Sequence, residues 1–294
     1  MKTIHFVLLL SVFHVQCASG QTGSYPELTV MTSLPSDLKE CSGMVDLGDG
    51  IFAGINDSGN AAELIVFHTG SQSNGLIRKI SIKGASNHDW EELASDDEYL
   101  YIGDTGNNSG TRKDLCIYRV SRPDVLRLTE VYSDKISFSF SEQKKFSPSN
   151  KHNFDCEAMV CVGDSLYLFT KNRGNAKTDL YVIPKVPGKY EAMHLDKFDA
   201  GGLVTGAGYR SNGALDQLAL VGYTTEEKGY HPFIWRFSPV KGNQFFKAPS
   251  KQWLYGGSFQ TESILWLDDQ TVLITNESEH GDPGFVFKEV LSNE

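Results

Sequence analysis

The chain has 294 residues, of which 37 are acidic and 27 are basic, for a formal net charge of −10. This acidic balance argues against a nucleic-acid-binding protein and agrees with binding of cations or neutral ligands. The chain has five cysteines, and four of them lie beyond residue 20, which is too few for disulfides to scaffold a domain of this size.

The first twenty residues have the three parts of a secretory signal peptide. Lys2 precedes a mostly apolar stretch from Ile4 to Val15, and Ala18-Ser19-Gly20 supplies small residues for cleavage. The apolar stretch is too short to span a membrane. We therefore predict a signal peptide over 1–20 and a secreted protein, located in the periplasm or on the cell surface if the source is bacterial. No later run approaches membrane length, so we expect no membrane span.

Five segments of the remaining chain resemble one another. They are "ECSGMVDLGDGIFAGINDSGN", "DWEELASDDEYLYIGDTGNN", "DCEAMVCVGDSLYLFTKNRGN", "VTGAGYRSNGALDQLALVGYT" and "TESILWLDDQTVLITNES". When the segments are aligned, one residue of each serves as the reference position. A turn with Gly, Asp or Asn nearby lies six residues after it, and an apolar strand follows the turn. We call these five aligned residues, which are 48 to 66 residues apart, the anchors: Ser42, Glu91, Glu157, Thr205 and Glu262.

Further strand-like segments follow each of these hairpins, so the repeat unit is predicted to have four strands. Five such units in series predict an all-β protein that forms one five-bladed β-propeller over 21–294, with six blades as the alternative. The segment "YPELTVMTSL" near the N-terminus is expected to supply the last strand of the final blade and so close the ring, because closure removes the exposed sheet edges.

The anchors carry the candidate functional site, because the first strand of each propeller blade lines the central channel. Glu91, Glu157 and Glu262 would converge there, and converging carboxylates must be protonated, paired with a base or bound to a cation. Asp57 and Asp104, at the ends of second strands, would add oxygen ligands at the same level. Oxygen-only ligands suit a hard ion, so Ca²⁺ is the predicted cofactor.

Two alternatives to an ion remain open for this channel. The anchors could hydrogen-bond the backbone of neighbouring blades, or Lys171 could neutralise a carboxylate directly. His88, beside Asp89 at the same channel mouth, is the candidate general base if a substrate binds, and otherwise an exposed loop residue.

Three N-glycosylation sequons begin at equivalent positions of their units, directly after the second strand: Asn56, Asn107 and Asn276. Glycans there would require a eukaryotic source. Recurrence at one structural position also indicates turn chemistry, which asparagine favours.

The motifs "SGM", "NDSGN", "DWEELA", "LYIGDTGNN", "DCEAM" and "LYLFTKNRG" resemble those of the SdiA-regulated (YjiK-like) family of secreted propellers. The resemblance covers most of the chain after the signal peptide and implies a five-bladed propeller with a polar channel that can hold calcium. It implies no particular activity. A looser similarity links the channel carboxylates to calcium-dependent lactonases of the gluconolactonase and paraoxonase type, whose propellers have six blades.

Three functions are compatible with this sequence. The first is a monomeric, non-enzymatic extracellular protein that binds a cation in its channel and an extracellular protein, matrix or small-molecule ligand on its surface. The second is a calcium-dependent esterase or lactonase in which Glu91, Glu157 and Glu262 hold the ion and His88 acts as base. The third is a structural propeller without an ion. The sequence has no G-x-S-x-G, H-E-x-x-H, phosphate-cradling or complete EF-hand motif, which disfavours serine and zinc hydrolases.

Overall fold

The computed structural model describes residues 25–70, 75–226, 229–278 and 283–292, so the predicted signal peptide lies outside the described residues. Within these ranges the chain forms twenty β-strands, one short α-helix and one 3-10 helix. The prediction of an all-β protein is confirmed. No helix in the described part of the chain is both long enough and apolar enough to cross a membrane.

The strands follow one another in five groups, which we call units one to five. The N-terminal strand is β1 (Val30–Ser33). Unit one contains β2 (Cys41–Gly48), β3 (Ile51–Asn56), β4 (Glu63–His68) and β5 (Leu76–Lys83). Unit two contains β6 (Trp90–Ser95), β7 (Tyr99–Asp104), β8 (Cys116–Ser121) and β9 (Glu130–Phe140), with the helix α1 (Arg122–Val125) before β9.

The other three units have the same organisation. Unit three contains β10 (Cys156–Val162), β11 (Ser165–Thr170), β12 (Thr178–Pro184) and β13 (Gly188–Phe198). Unit four contains β14 (Leu203–Ser211), β15 (Asp216–Glu226) and β16 (Gly229–Phe237), then the 3-10 helix Phe245–Lys247 and β17 (Ser250–Leu254). Unit five contains β18 (Thr261–Trp266), β19 (Thr271–Asn276) and β20 (Phe285–Val290).

Each unit is an antiparallel meander in which successive strands pair. Unit five has only three strands of its own, and β1 pairs with β20 to supply the fourth, with Val30 opposite Phe287. The predicted pairing of the N-terminal segment with the last unit is therefore observed. The outer strand β9 also pairs in parallel with β5 and β13, which joins units one to three into a twelve-stranded sheet.

In units one, three and four, the hairpin between the first two strands contains a residue with a positive φ angle, such as Gly48, Gly163 or Gly213. Between β2 and β3, Gly48, Asp49 and Gly50 have φ angles of 99°, 54° and 73°. Such angles are strained for most residues but accessible to glycine and tolerated by aspartate. In units two and five the turn instead contains an aspartate, Asp96 or Asp268, whose side chain accepts hydrogen bonds from backbone N–H groups of the turn.

The hydrophobic core is divided into five clusters, and each lies between two units. Four clusters join consecutive units, from one and two through four and five. The fifth joins unit five to unit one, with Leu265 and Leu273 packed against residues such as Met44 and Phe52. Every unit therefore buries both faces of its sheet, which is how these short strands obtain most of their stability.

The first strands of the units lie next to one another in the order β2, β6, β10, β14, β18, and β18 contacts β2. A cavity of about 160 Å³ lies among them, and every first strand contributes to its lining: Met44, Leu93, Met159, Ala207 and Leu265. This arrangement brings the anchors of all five units towards a common centre.

Candidate metal centre

All five anchors occupy the same structural position, a one-residue shift in the register of the first strand. The pairing with the second strand jumps from Cys41 to Gly43 in unit one and from Trp90 to Glu92 in unit two. The other three units show the same jump around their anchors. A shift of this kind is a β-bulge, which leaves one residue outside the ladder and redirects its side chain. The anchor is that residue in every unit, and all five anchors are buried.

The two hydroxyl anchors bond to the backbone of a neighbouring first strand. The Ser42 hydroxyl donates to the Trp90 carbonyl at 2.7 Å, and the Thr205 hydroxyl donates to the Thr261 carbonyl at 2.5 Å. The alternative of bonds between neighbouring units therefore holds for these two anchors, which need no ion. The carboxylate anchors are arranged differently.

Two overlapping groups of carboxylates, which we call the carboxylate centre, lie at the end of the structure where the first strands begin. One group is Asp57, Asp89 and Glu91, and the other is Glu91, Asp155 and Glu157. Within each group the oxygens lie within 4.8 Å of one another, and Glu91 belongs to both. Groups of this composition and spacing could hold a metal ion.

Glu91 is surrounded by the other carboxylates of this centre. It is only 5% exposed, and no described residue donates a hydrogen bond or forms an ion pair to its carboxylate. Burial raises the pKa of Glu91 well above its usual value, and the charges of Glu157, Asp57 and Asp155 raise it further. A carboxyl in this setting is stabilised by a bound proton, a cation or water.

Burial and neighbouring carboxylates also raise the pKa of Asp89, but by less than they raise the pKa of Glu91. Burial and the nearby carboxylates of Asp57 and Asp155 raise the pKa of Asp89 to about 7, although Arg112 opposes the shift. Gly106 packs directly against the carboxylate oxygens of Asp89 and Glu91, and a Cβ at this position would overlap with both. The centre thus depends on a glycine of the loop after β7.

Basic residues occupy the other side of the carboxylate centre. The Lys171 ammonium lies 2.6 Å from Glu157 Oε2, and both side chains are almost fully buried. Arg173 Nη2 lies 3.1 Å from Asp155 Oδ2 and 3.4 Å from Glu157 Oε1. The predicted alternative of neutralisation by Lys171 therefore applies to Glu157. Among the described residues Lys171 forms no ion pair with Asp57, Asp89 or Glu91, although its charge opposes the rise that burial causes in the pKa of Asp57, and these three form the open part of the centre.

Glu262 lies outside both carboxylate groups. Its side chain is buried, and Oε1 has no hydrogen-bond partner among the residues that the structure describes. Burial raises the pKa of Glu262 to about 8, and the nearby Lys171 charge opposes the shift. Of the five residues predicted as ligands, the structure brings together Asp57, Glu91 and Glu157.

Asp104, the fifth predicted ligand, is engaged by a base. Arg112 Nη2 lies 2.9 Å from Asp104 Oδ1, and the Asp89 backbone N–H donates to the same oxygen at 3.2 Å. His88 Nδ1 lies 3.7 Å from Asp104 Oδ2 and 3.6 Å from Asp114 Oδ2, and its side chain is 58% exposed. The candidate base therefore contacts this arginine-paired carboxylate and a surface aspartate, and it belongs to neither carboxylate group.

Sequence reasoning did not include Asp89 and Asp155 among the ligands, although a signal for them exists. Each stands two residues before a carboxylate anchor, in "DWE" and "DCE", so the repeat carries an Asp-x-Glu pattern in units two and three. Each aspartate is the residue directly before the first strand of its unit. The bulge at the anchor lets both carboxylates of such a pair face the same centre.

The three sequon asparagines use their side chains to hold loops. Asn107 and Asn276 are buried, and Asn56 is partly exposed. Each side chain bonds to backbone: Asn56 donates to the Asp37 carbonyl, Asn107 donates to the Phe154 carbonyl, and Asn276 accepts from the N–H of Phe285 at the start of β20. A glycan on Asn107 or Asn276 would displace buried contacts, and glycosylation stays a prediction.

Comparison with known proteins adds little to this geometry. No protein family matches the chain, and no curated protein matches it. A solved structure described as the structure of YjhT is similar over 90% of this chain and 99% of its own, with 11% sequence identity and a TM-score of 0.46. A likeness at this level carries no argument about this chain.

Proposed function

We propose that this protein is a secreted five-bladed β-propeller that binds Ca²⁺ at one end of its central channel and acts as a non-enzymatic extracellular binding protein. The resemblance of several motifs to the SdiA-regulated (YjiK-like) family supports the propeller and the calcium site of this proposal, and it implies no particular activity. The observation that carries the function is Glu91, a buried carboxylate shared by two carboxylate groups and lacking any donor among the described residues.

Four features support five blades around one axis. The first strands are neighbours in a cyclic order, and a core cluster joins unit five to unit one. All five first strands line one cavity. The carboxylate of Glu92, on β6, accepts a hydrogen bond from the Ala207 backbone N–H of β14 at 3.1 Å, although β10 separates these strands in the cyclic order. A narrow channel crossed by a side chain explains this contact.

The donor set favours calcium over other divalent ions. The open part of the centre offers only carboxylate oxygens, which are hard ligands, and no Cys or His belongs to either group. Calcium accepts irregular sets of oxygens at about 2.3–2.6 Å, so two ligand oxygens on one ion can be nearly 5 Å apart. Magnesium requires about 2.0–2.1 Å and near-octahedral geometry, which spans less of this centre.

The ion would also resolve the electrostatics of the site. Asp57, Asp89 and Glu91 repel one another, and Lys171 and Arg173 bond to the other side of the centre. A divalent cation would neutralise two of these charges and remove the need for bound protons. An ion bound to Asp57, Asp89 and Glu91 would join units one and two, which would stabilise the folded state.

The test is thermal unfolding of residues 21–294 in EDTA and then with increasing Ca²⁺ or Mg²⁺. Binding to the folded state stabilises it by about 2.7 kcal/mol at a hundred times the dissociation constant. For a domain of this size that energy raises the midpoint by about 5–10 °C. We expect this rise with Ca²⁺, a smaller one with Mg²⁺, and none in Glu91→Gln.

Glu191→Gln is the matched control, because Glu191 is an exposed carboxylate on β13 and its loss changes the net charge equally. This variant should respond to Ca²⁺ as the wild type does. A wild-type midpoint that ignores both EDTA and Ca²⁺, in a sample that elemental analysis finds free of metal, would contradict the proposal. Turnover on aryl esters or lactones that is lost in both Glu91→Gln and His88→Ala would instead support the hydrolase alternative.

A further inference from the structure

The segment between β9 and β10 forms a basic region on an otherwise acidic protein. It contains Lys144, Lys145 and Lys151, all exposed. Lys113, from the loop before β8, lies nearby, with Nζ 4.9 Å from the centre of the Phe146 ring. Four positive charges are thus concentrated in a chain whose formal net charge is −10.

These lysines lack acidic partners among the described residues. None of the ion pairs there involves Lys113, Lys144, Lys145 or Lys151, whereas lysines elsewhere, such as Lys79 and Lys185, lie within 3.0 Å of an aspartate. The neighbouring Glu142 carboxylate accepts a hydrogen bond from the Tyr181 hydroxyl. This bond leaves the negative charge of Glu142 in place, but the four lysines outnumber it, so the region keeps a net positive charge.

The region encloses a pocket of about 460 Å³, within the size range of small-molecule sites. Its lining combines charged, hydroxyl and aromatic groups and includes one carboxylate, that of Glu142; the lining residues are Gly110, Glu142, Lys144, Lys145, Ser147, Ser149, His152 and Phe154. The lysines and serines can donate hydrogen bonds, and the half-buried Phe154 ring provides an apolar wall.

Hydrogen bonds to the loop after β7 hold the pocket in shape. The Gln143 side-chain amide is buried and donates to the Gly110 carbonyl at 2.9 Å. The Ser149 N–H donates to the Ser109 carbonyl at 3.0 Å. His152 joins both sides of the pocket, since Nδ1 accepts from the Phe154 N–H and Nε2 lies 3.0 Å from the Asn108 carbonyl. A preformed pocket reduces the ordering cost of binding.

We propose that this pocket binds a phosphate or sulfate ester of a small aromatic or apolar molecule. The tetrahedral oxyanion of the ester is the charged part of this ligand. Lys144 and Lys145 would neutralise the oxyanion, and the serine hydroxyls would donate to its remaining oxygens. The organic group would contact Phe154. This site is separate from the carboxylate centre, and the proposal does not depend on bound calcium.

Isothermal titration calorimetry with phenyl phosphate and phenyl sulfate tests the proposal. The titrations are done in EDTA, so that neither probe can bind through a calcium ion. The test variant is Lys144→Gln/Lys145→Gln. The control is Lys189→Gln/Lys197→Gln, which removes two exposed lysines of β13 and changes the net charge equally.

We expect the wild type to bind at least one probe and the test variant to bind it about tenfold more weakly, the size of effect that two exposed ion pairs supply. The control should stay within about twofold of the wild type. The tighter probe identifies the ester class. Glu91→Gln should bind the probe as the wild type does, so this test can fail or succeed independently of the calcium proposal.

Two outcomes would overturn the inference. One is the absence of binding by either probe at concentrations on the order of 10 mM, where even weak specific sites are filled. The other is equal weakening in the test variant and the control, which would show that the probes respond to net charge and not to this pocket.

Discussion

Lys171→Met removes the lysine that pairs with Glu157 and leaves a buried carboxylate behind. The Lys171 ammonium and the Glu157 carboxylate lie 2.6 Å apart, with side-chain exposures of 5% and 3%. Burial opposes it, but the negative charges of Glu157 and Glu262 raise the pKa of Lys171, so the ammonium is charged. Burial raises the pKa of Glu157 well above its usual value, and the ammonium 2.6 Å away opposes that rise and favours the ionised carboxylate. Loss of the ammonium forces Glu157 to bury an uncompensated charge or to take up a proton.

Breaking a buried ion pair from one side costs about 3–5 kcal/mol. Arg173 Nη2 remains 3.4 Å from Glu157 Oε1 and offers partial compensation, so the lower end of this range applies. We therefore expect Lys171→Met to lower the free energy of unfolding by about 3 kcal/mol, which corresponds to a fall in midpoint of about 6–12 °C. Because an unpaired Glu157 could bind an ion, Ca²⁺ should stabilise this variant more than it stabilises the wild type.

The assay is urea unfolding in EDTA of the wild type, Lys171→Met and Lys171→Met/Glu157→Met. The double variant should recover most of the lost stability, since replacing both members of a buried pair by apolar residues is often neutral. Lys177→Met is the control, because Lys177 pairs with Asp199 on the surface and its loss should cost less than about 1 kcal/mol. A single variant within about 1 kcal/mol of the wild type, or a double variant no more stable than the single, would refute this account of the pair.

Two further predictions concern Gly106 and Asp96. Gly106→Ala should weaken Ca²⁺ binding about tenfold with no change of charge, because its Cβ would displace the carboxylates of Asp89 and Glu91 at a cost on the order of 1–3 kcal/mol. Calorimetry checks this, with Gly70→Ala, which meets no neighbouring atom, as control, and unchanged affinity would contradict it. Asp96→Asn should lower the midpoint at pH 7. Burial opposes the shift, but donors including Lys185 hold the pKa of Asp96 at about 2, below its usual 3.8. Its stabilisation is therefore present above pH 3.8 and lost as the pH falls through about 2, so a midpoint difference that does not shrink on acidification would count against this role.

Local features of the sequence determined the strands, their turns and the position of the anchors. Strand alternation has a period of two residues, and the glycine-aspartate turns that bound it act over a few residues, so both can be read without knowledge of the fold. The anchors identified by alignment all lie at the same bulge. The repeat also indicated that the N-terminal segment pairs with the last unit, as β1 and β20 do.

Which carboxylates meet was decided only by the tertiary structure. Asp104 was expected beside Glu91, yet Arg112 engages it, and Glu157 is bound on one side by Lys171 and Arg173. These bases lie on loops after the second strands, and their reach depends on how neighbouring units pack. The groups of the centre come from segments up to 100 residues apart, between Asp57 and Glu157. Charge interactions at such a centre change over a few ångströms, a scale that sequence spacing cannot resolve.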